Sequence, residues 1–314
     1  MTEACEAIYF VQKPFTVNTE QMGCYYFNIL SAYIKAKALG AAIVPPLLPL
    51  APRDNKMVEL NSDMPWSRSI LDFGSINSSE VLDYSRINTL SLEEFYSKSS
   101  GLVNMKSDSL TIEGHLFTKD DSSKYMITDL PKRWDTQAND PALFYNGLYS
   151  ELPLRPDIIR EPSWFTPLKS SSFLGVHWRR GDRGNVALGL IGRRLWISTE
   201  PETVAAHINN YIEENPQIEW VYVSTNSGSD EDREVLISLV KVEVHFMDEV
   251  EDKPLNLWKS DLTDLFLCSK ASHLLLSPGG LHSSSAFGRL ICAEYLRYNH
   301  NEPHVKFMPL ILDE

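Results

Sequence analysis

The chain has 314 residues, 43% hydrophobic and 23% charged, an ordinary globular composition with length enough for two domains of about 150 residues each. A formal net charge of -13 argues against a nucleic-acid partner, which needs a basic face. A small anionic ligand needs only a local positive cluster, and the densest here is the five arginines from Arg179 to Arg194.

In chain order, the opening residues show no basic stretch followed by an apolar run of roughly 7–15 residues, so no secretory leader is expected and the chain as written starts in the cytosol. A strand is predicted over 7–11, a helix over 24–39 and a second strand from residue 42, which is a βαβ start. Residues 52–167 are rich in Ser, Asp and Asn with few clean periods, and no element is assigned there. The most apolar windows, 38–51 and 262–276, are broken by proline or polar residues and fall short of the roughly 18 apolar residues of a membrane span.

From residue 173 the pattern sharpens. Strands are predicted over 173–178, 220–224, 242–246 and 273–276, with helices between them. The segment 199–202 reads as a capping box with an early proline, after which Val204, Ile208, Tyr211 and Ile212 share one apolar face. Further helices are predicted over 231–240, 257–268 and 284–297. Strand and helix alternating in this way indicate a parallel doubly wound sheet, whose ligands sit beyond the carboxyl ends of the strands. Chemistry is therefore expected just after Trp178, Val223 and Leu276. The four cysteines, Cys5, Cys24, Cys268 and Cys292, include no C-x-x-C pair and read as buried thiols.

At the first of those strand ends stands His177-Trp178-Arg179-Arg180-Gly181-Asp182. Two guanidinium groups leaving a strand can hold phosphate oxygens through paired hydrogen bonds and keep their charge at any relevant pH. The same residues also fit a strand-end salt bridge between Arg180 and Asp182. After the last strand comes a Ser277-Pro278-Gly279-Gly280 turn that runs on through Ser283, Ser284 and Ser285 into a helix. Glycines and hydroxyls at a helix start offer N–H groups to an anion, although a serine N-cap on a surface helix has the same spelling. No Walker sequence, dinucleotide glycine fingerprint, H-E-x-x-H or G-x-S-x-G occurs.

Together, residues 174–182, 221–226 and 284–290 resemble the GDP-fucose protein O-fucosyltransferase family and the related α1,6-fucosyltransferases, whose pattern is H-x-R-R-x-D after a strand, a later strand ending in T-D, and a serine-rich turn opening the last helix. Residues 261–271 look like the helix before the family's final strand, and residues 64–67 like its proline-tryptophan segment. The resemblance covers residues 174–295 and, more loosely, the first 80.

It implies an α/β fold of the GT-B type, two Rossmann-like domains facing a central cleft, with residues 1–165 on the acceptor side and 166–314 holding the GDP-sugar. By position, Arg179 and Arg180 would be catalytic and grip the diphosphate. His177 would support the nucleotide sugar, Asp182 would orient the arginines, and Ser283, Ser284 and Ser285 would receive phosphate oxygens. The implied activity is inverting transfer of fucose from GDP-fucose to a Ser or Thr hydroxyl of a protein acceptor, with no metal or other cofactor, no nucleic acid and no membrane span. Family members usually work in the lumen of the endoplasmic reticulum or Golgi. Asn226 stands where the family usually has an aspartate thought to face guanine, and its amide can also hydrogen-bond a base edge. Gly23 and Cys24 occupy the stretch near the acceptor hydroxyl, where no base is assigned and Glu20 is only a nearby carboxylate. Two alternatives stay open: the same fold with another donor sugar or a glycan acceptor, and a non-catalytic nucleotide-sugar-binding protein.

Overall fold

The computed structural model describes residues 9–11, 26, 29–30, 33, 42–45, 47–49, 75–89, 91, 109–112, 115–119, 152–155, 165–168, 170–180, 189–225, 229–247, 257–278, 286–299 and 301–311. The chain divides into two compact units, one of residues 1–136, 147–158 and 256–258, the other of residues 137–146, 159–255 and 259–314. No helix among the described residues is long and apolar enough to cross a membrane.

In the first unit, β1 (Tyr9–Val11) pairs in parallel with β2 (Ala42–Val44), Tyr9 opposite Ala42. Parallel neighbours need a crossover, and helical residues Tyr26, Ile29, Leu30 and Tyr33 lie between them in sequence. Their i, i+3, i+4, i+7 spacing puts all four on one stripe, and all four are buried, as the sequence period predicts. Tyr26 donates its hydroxyl to the Leu152 carbonyl at 3.0 Å.

Four more strands form among the described residues, one just before residues 52–167, to which sequence periodicity assigned nothing, and three within that segment. β3 (Leu47–Pro49) and β4 (Ser75–Asn77) make one antiparallel pair, and β5 (Ser109–Ile112) and β6 (His115–Lys119) make another. β6 also joins β1 in parallel, giving the order β2-β1-β6-β5. Three to five residues are too few to display a period of two convincingly. A short 3-10 turn at Ser78–Glu80 follows β4, and the Ser78 and Tyr84 hydroxyls hydrogen-bond at 3.0 Å.

The second unit is built on one parallel sheet of β7 (Phe173–Trp178), β8 (Trp220–Thr225), β9 (Glu243–Phe246), β10 (His273–Leu276) and β11 (Val305–Phe307), in the order β11-β10-β7-β8-β9. The four strands read from sequence are present almost to the residue. β7 is buried along its whole length, which is why it spells Phe-Leu-Gly-Val-His-Trp without polar alternation. The described helices of this unit are α1 (Phe165–Leu168), α2 (Gly189–Ile197), α3 (Pro201–Glu214), α4 (Asp230–Leu239), α5 (Leu257–Lys270, all but its first two residues in this unit) and α6 (Ala286–Tyr298).

Side chains on a strand alternate, so each face recruits its own helices. Leu174, Val176, Trp178, Val221, Val223, Val244, Phe246 and Leu275 face α3 and α4, meeting Val204, Ala205, Ile208, Tyr211 and Leu236 in one core. The opposite face packs on α5 and α6. A Cβ at Gly175 would lie 3.0 Å from the Ala271 Cβ and 3.3 Å from the Cys268 Cα, so only glycine lets α5 approach β7 this closely. Cys268 and Cys292 are buried free thiols, and burial pushes the Cys292 thiol up to about 12. Cys5 and Cys24 lie outside the described residues.

One detail departs from expectation. Thr199 does not cap α3, because its hydroxyl closes the end of α2, donating to the Leu195 carbonyl at 2.8 Å and the Trp196 carbonyl at 3.1 Å. The N-cap falls to Glu200, which makes no side-chain capping bond, and Pro201 takes the first helical turn.

At the amino-terminal end of the sheet, His273 is almost fully buried, with Nδ1 3.1 Å from the Tyr211 hydroxyl and Nε2 3.1 Å from the Gln217 amide, and its ring is stacked on His304. Desolvation and then the neighbouring His304 hold the His273 pKa below the usual value. Desolvation and then Lys306 do the same to His207. The unfolded chain therefore takes up protons on these groups first as pH falls, so stability present above pH of about 6.5 is lost below it. Thermal denaturation is expected to show a lower Tm at pH of about 5.5 than at about 7.5, with a smaller drop in His273→Gln.

Candidate functional site

Strand order reverses at β7: the chain steps outward to β8 and β9, then returns to place β10 and β11 on the other side. Helices α3 and α6, which follow β7 and β10 in sequence, lie on opposite faces of the sheet. A crevice opens at such a switch point, outside the carboxyl ends of the two strands, where doubly wound folds bind ligands. The motifs singled out in the sequence leave from these two ends.

The register brings the exits level. Leu276 lies opposite His177, His177 opposite Ser224, and Trp178 opposite Thr225. Ser277 ties β10 to β7: its hydroxyl donates to the His177 carbonyl at 2.7 Å and accepts from the Arg179 N–H at 2.7 Å, while its own N–H donates to the His177 carbonyl at 2.9 Å. Thr225 ties β8 to β7 by donating to the Trp178 carbonyl at 2.7 Å. The backbone from which the Arg179 side chain departs is thus fixed from both sides.

The two arginines sit differently. Arg179 is half-buried at the strand exit. Arg180 is only 6% exposed, and its Nε pairs with the Asp232 carboxylate at 3.0 Å. Its Nη1 donates to the Trp196 carbonyl at 3.0 Å, and the guanidinium lies 3.6 Å from the Trp196 ring centroid. The α2 macrodipole favours the cation at the Trp196 carbonyl, at the negative end of that helix, and the α4 macrodipole favours the ionised Asp232 in its first turn, where the N-cap Ser229 accepts from the Asp232 N–H at 3.1 Å. Trp178 anchors the same corner by donating its indole N–H to the Thr199 carbonyl at 2.8 Å.

His177 points to the other face, its ring 6.1 Å from that of Phe287 in the first turn of α6. A Cβ at Gly288 would stand 2.9 Å from its Nδ1 and 3.0 Å from its Cε1. Gly288→Ala must therefore displace the buried imidazole, and equilibrium denaturation is expected to show a loss of about 1–3 kcal/mol, the usual cost of overpacking. Nearby, the buried Asp264 carboxylate of α5 accepts from the Tyr222 hydroxyl and, at 3.1 Å, from the Ser224 hydroxyl. This pairing holds the carboxyl end of β8 against α5.

The structure thus brings His177, Arg179 and Arg180 together at the switch point. Gly23, Cys24, Asp182, Asn226, Ser283, Ser284 and Ser285, like Glu20, lie outside the described residues. Sequence reasoning missed Trp196, Asp232, Asp264, Ser277 as the strand tie, and Gly288. A serine directly after the last strand and an acidic first turn on α4 were the available signals. Among the described residues no group of three or more His, Cys, Asp or Glu side chains is arranged to hold a metal ion.

No family model matches the sequence, and no curated protein does. Among solved structures, a crystal structure of POFUT1 in complex with GDP aligns with a TM-score of 0.54 at 11% identity, covering 96% of this chain and 98% of that one. The fold is of the GT-B type. NodZ α-1,6-fucosyltransferase soaked with GDP-fucose aligns at a TM-score of 0.46 and 13% identity, covering 91% of this chain and 92% of that one. Fucosyltransferase NodZ from Bradyrhizobium aligns at 0.43 and 14%, covering 91% and 93%. In this GT-B-type chain, the parallel sheet carrying the arginines is the Rossmann-like sheet of the second unit.

Proposed function

We propose that the chain is an inverting glycosyltransferase that moves fucose from GDP-fucose to a Ser or Thr hydroxyl of a protein acceptor. The observation that carries this reading is the placement of Arg179 and Arg180 at the carboxyl end of β7, beside the β10 exit, at the sheet's switch point. The motif resemblance to the protein O-fucosyltransferases supports it, as does the fold shared with POFUT1, which was crystallised with GDP.

In the reaction, the acceptor oxygen forms a bond to the fucose C1 from the face opposite the nucleotide. The C1–O bond to the β-phosphate breaks, the electron pair leaves with GDP, and the acceptor proton is released. Negative charge on the departing diphosphate is greatest in the transition state, so a fixed guanidinium there lowers the barrier more than it tightens donor binding. Arg179 supplies that charge in this proposal, and no metal is invoked. His177 and Ser283, Ser284 and Ser285 are the proposed donor contacts at the two strand exits, Asp182 is proposed to orient the arginines, and Asn226 to meet the base.

Hydrolysis of isotope-labelled GDP-fucose without acceptor tests this directly, since transferases commonly leak donor to water. Slow release of fucose and GDP is expected. Intact donor after prolonged incubation contradicts transferase activity and, where GDP still binds, favours the binding-only alternative. Release from a different GDP-sugar in preference to GDP-fucose favours the donor alternative suggested by Asn226.

A further inference from the structure

The Arg180 group spends its Nε on Asp232, its Nη1 on the Trp196 carbonyl and one face on the Trp196 ring. Asp232 is 52 residues distant in sequence and Trp196 is 16, so the contacts join three separate elements: the β7 exit, the end of α2 and the start of α4. Arg179, one residue earlier, has its backbone N–H held by Ser277 from the β10 side.

We propose that Asp232 and Trp196 are positioning residues of the site: they hold Arg180 on the α2–α4 side while Ser277 holds the Arg179 backbone on the β10 side. The Arg179 side chain thereby leaves a segment clamped at both ends. The inference rests on the function proposed above. In this role Asp232 and Trp196 act through Arg180.

Electrostatics separates this role from a merely structural one. Removing the Asp232 charge takes one paired carboxylate from the buried Arg180 cation, which makes the crevice more attractive to a diphosphate while loosening the geometry around Arg179. A small misplacement of a group that stabilises a transition state costs turnover rather than ground-state affinity. Asp232→Asn in the full chain is expected to lower kcat for GDP-fucose roughly ten- to hundred-fold, with KM and the Kd for GDP unchanged or lower. Asp232→Glu, which keeps the charge, is expected to recover part of kcat. Trp196→Phe, which keeps a ring under the guanidinium, should retain more kcat than Trp196→Leu, and this pair decides the matter if Asp232→Asn does not fold. A wild-type chain that turns over GDP-fucose, with Asp232→Asn or Trp196→Leu matching its kcat, overturns the inference alone. A wild-type chain that neither binds GDP nor turns over GDP-fucose overturns the proposed function and this inference with it.

Discussion

Arg179→Ala is expected to reduce GDP-fucose turnover by on the order of a hundred-fold or more, the scale seen when a single preorganised donor to a developing charge is removed. The size follows from preorganisation. Ser277 accepts from the Arg179 N–H and donates to the carbonyl of His177, while Thr225 holds the intervening Trp178 carbonyl, so the strand exit is fixed before any ligand arrives. A fixed charge needs no reorganisation as the diphosphate leaves. The effect should fall mainly on kcat, with donor KM rising less, and steady-state kinetics separates the two. Turnover equal to wild type would remove Arg179 from the mechanism.

The largest loss of stability is expected from Trp220→Ala. Trp220 is fully buried at the start of β8, its ring stacked on Phe173 with centroids 4.1 Å apart and planes 9° off parallel. Phe165 and His245 meet it edge-on at 6.1 Å and 5.4 Å, and its indole N–H donates to the Ser171 hydroxyl at 2.8 Å. Truncation should cost about 3–5 kcal/mol through the lost ring and the cavity left behind. Trp220→Phe keeps a ring stacked on Phe173, loses the donor and the smaller ring of the indole, and should cost less. Urea denaturation measures both. Because Trp220 lies at the strand end opposite the arginines, the fraction that remains folded should bind ligand as wild type does. A Trp220→Ala chain as stable as wild type would contradict the packing described here.

The second unit's sheet could be read from sequence because its inner strands β7, β8 and β10 are buried on both faces. Phe173–Trp178 and His273–Leu276 are nearly unbroken apolar runs, and the apolar stripe Val204, Ile208 and Tyr211 between strands announces α3. α2 stayed hidden because Gly189 and Gly192 weaken a helical pattern, and β11 because three residues at a sheet edge make no run. Of the site, the arginine pair and its strand-end position were visible, since motif and strand lie side by side in the chain. The partners of Arg180 were not. Asp232 and Trp196 reach it only through the packing of α2 and α4 against one corner of the sheet, and no local pattern encodes a contact across 52 residues. Asp264 was likewise legible as a helical position, but its bonds to Tyr222 and Ser224 exist only once Gly175 lets α5 settle onto the sheet.

Calorimetric titration of the full chain with GDP, GDP-fucose and UDP, without added metal, tests the central claim most directly. The account predicts binding of both GDP ligands and none of UDP, with GDP affinity weakened in Arg179→Ala. Binding of none of the three, or equal binding of UDP, would contradict it.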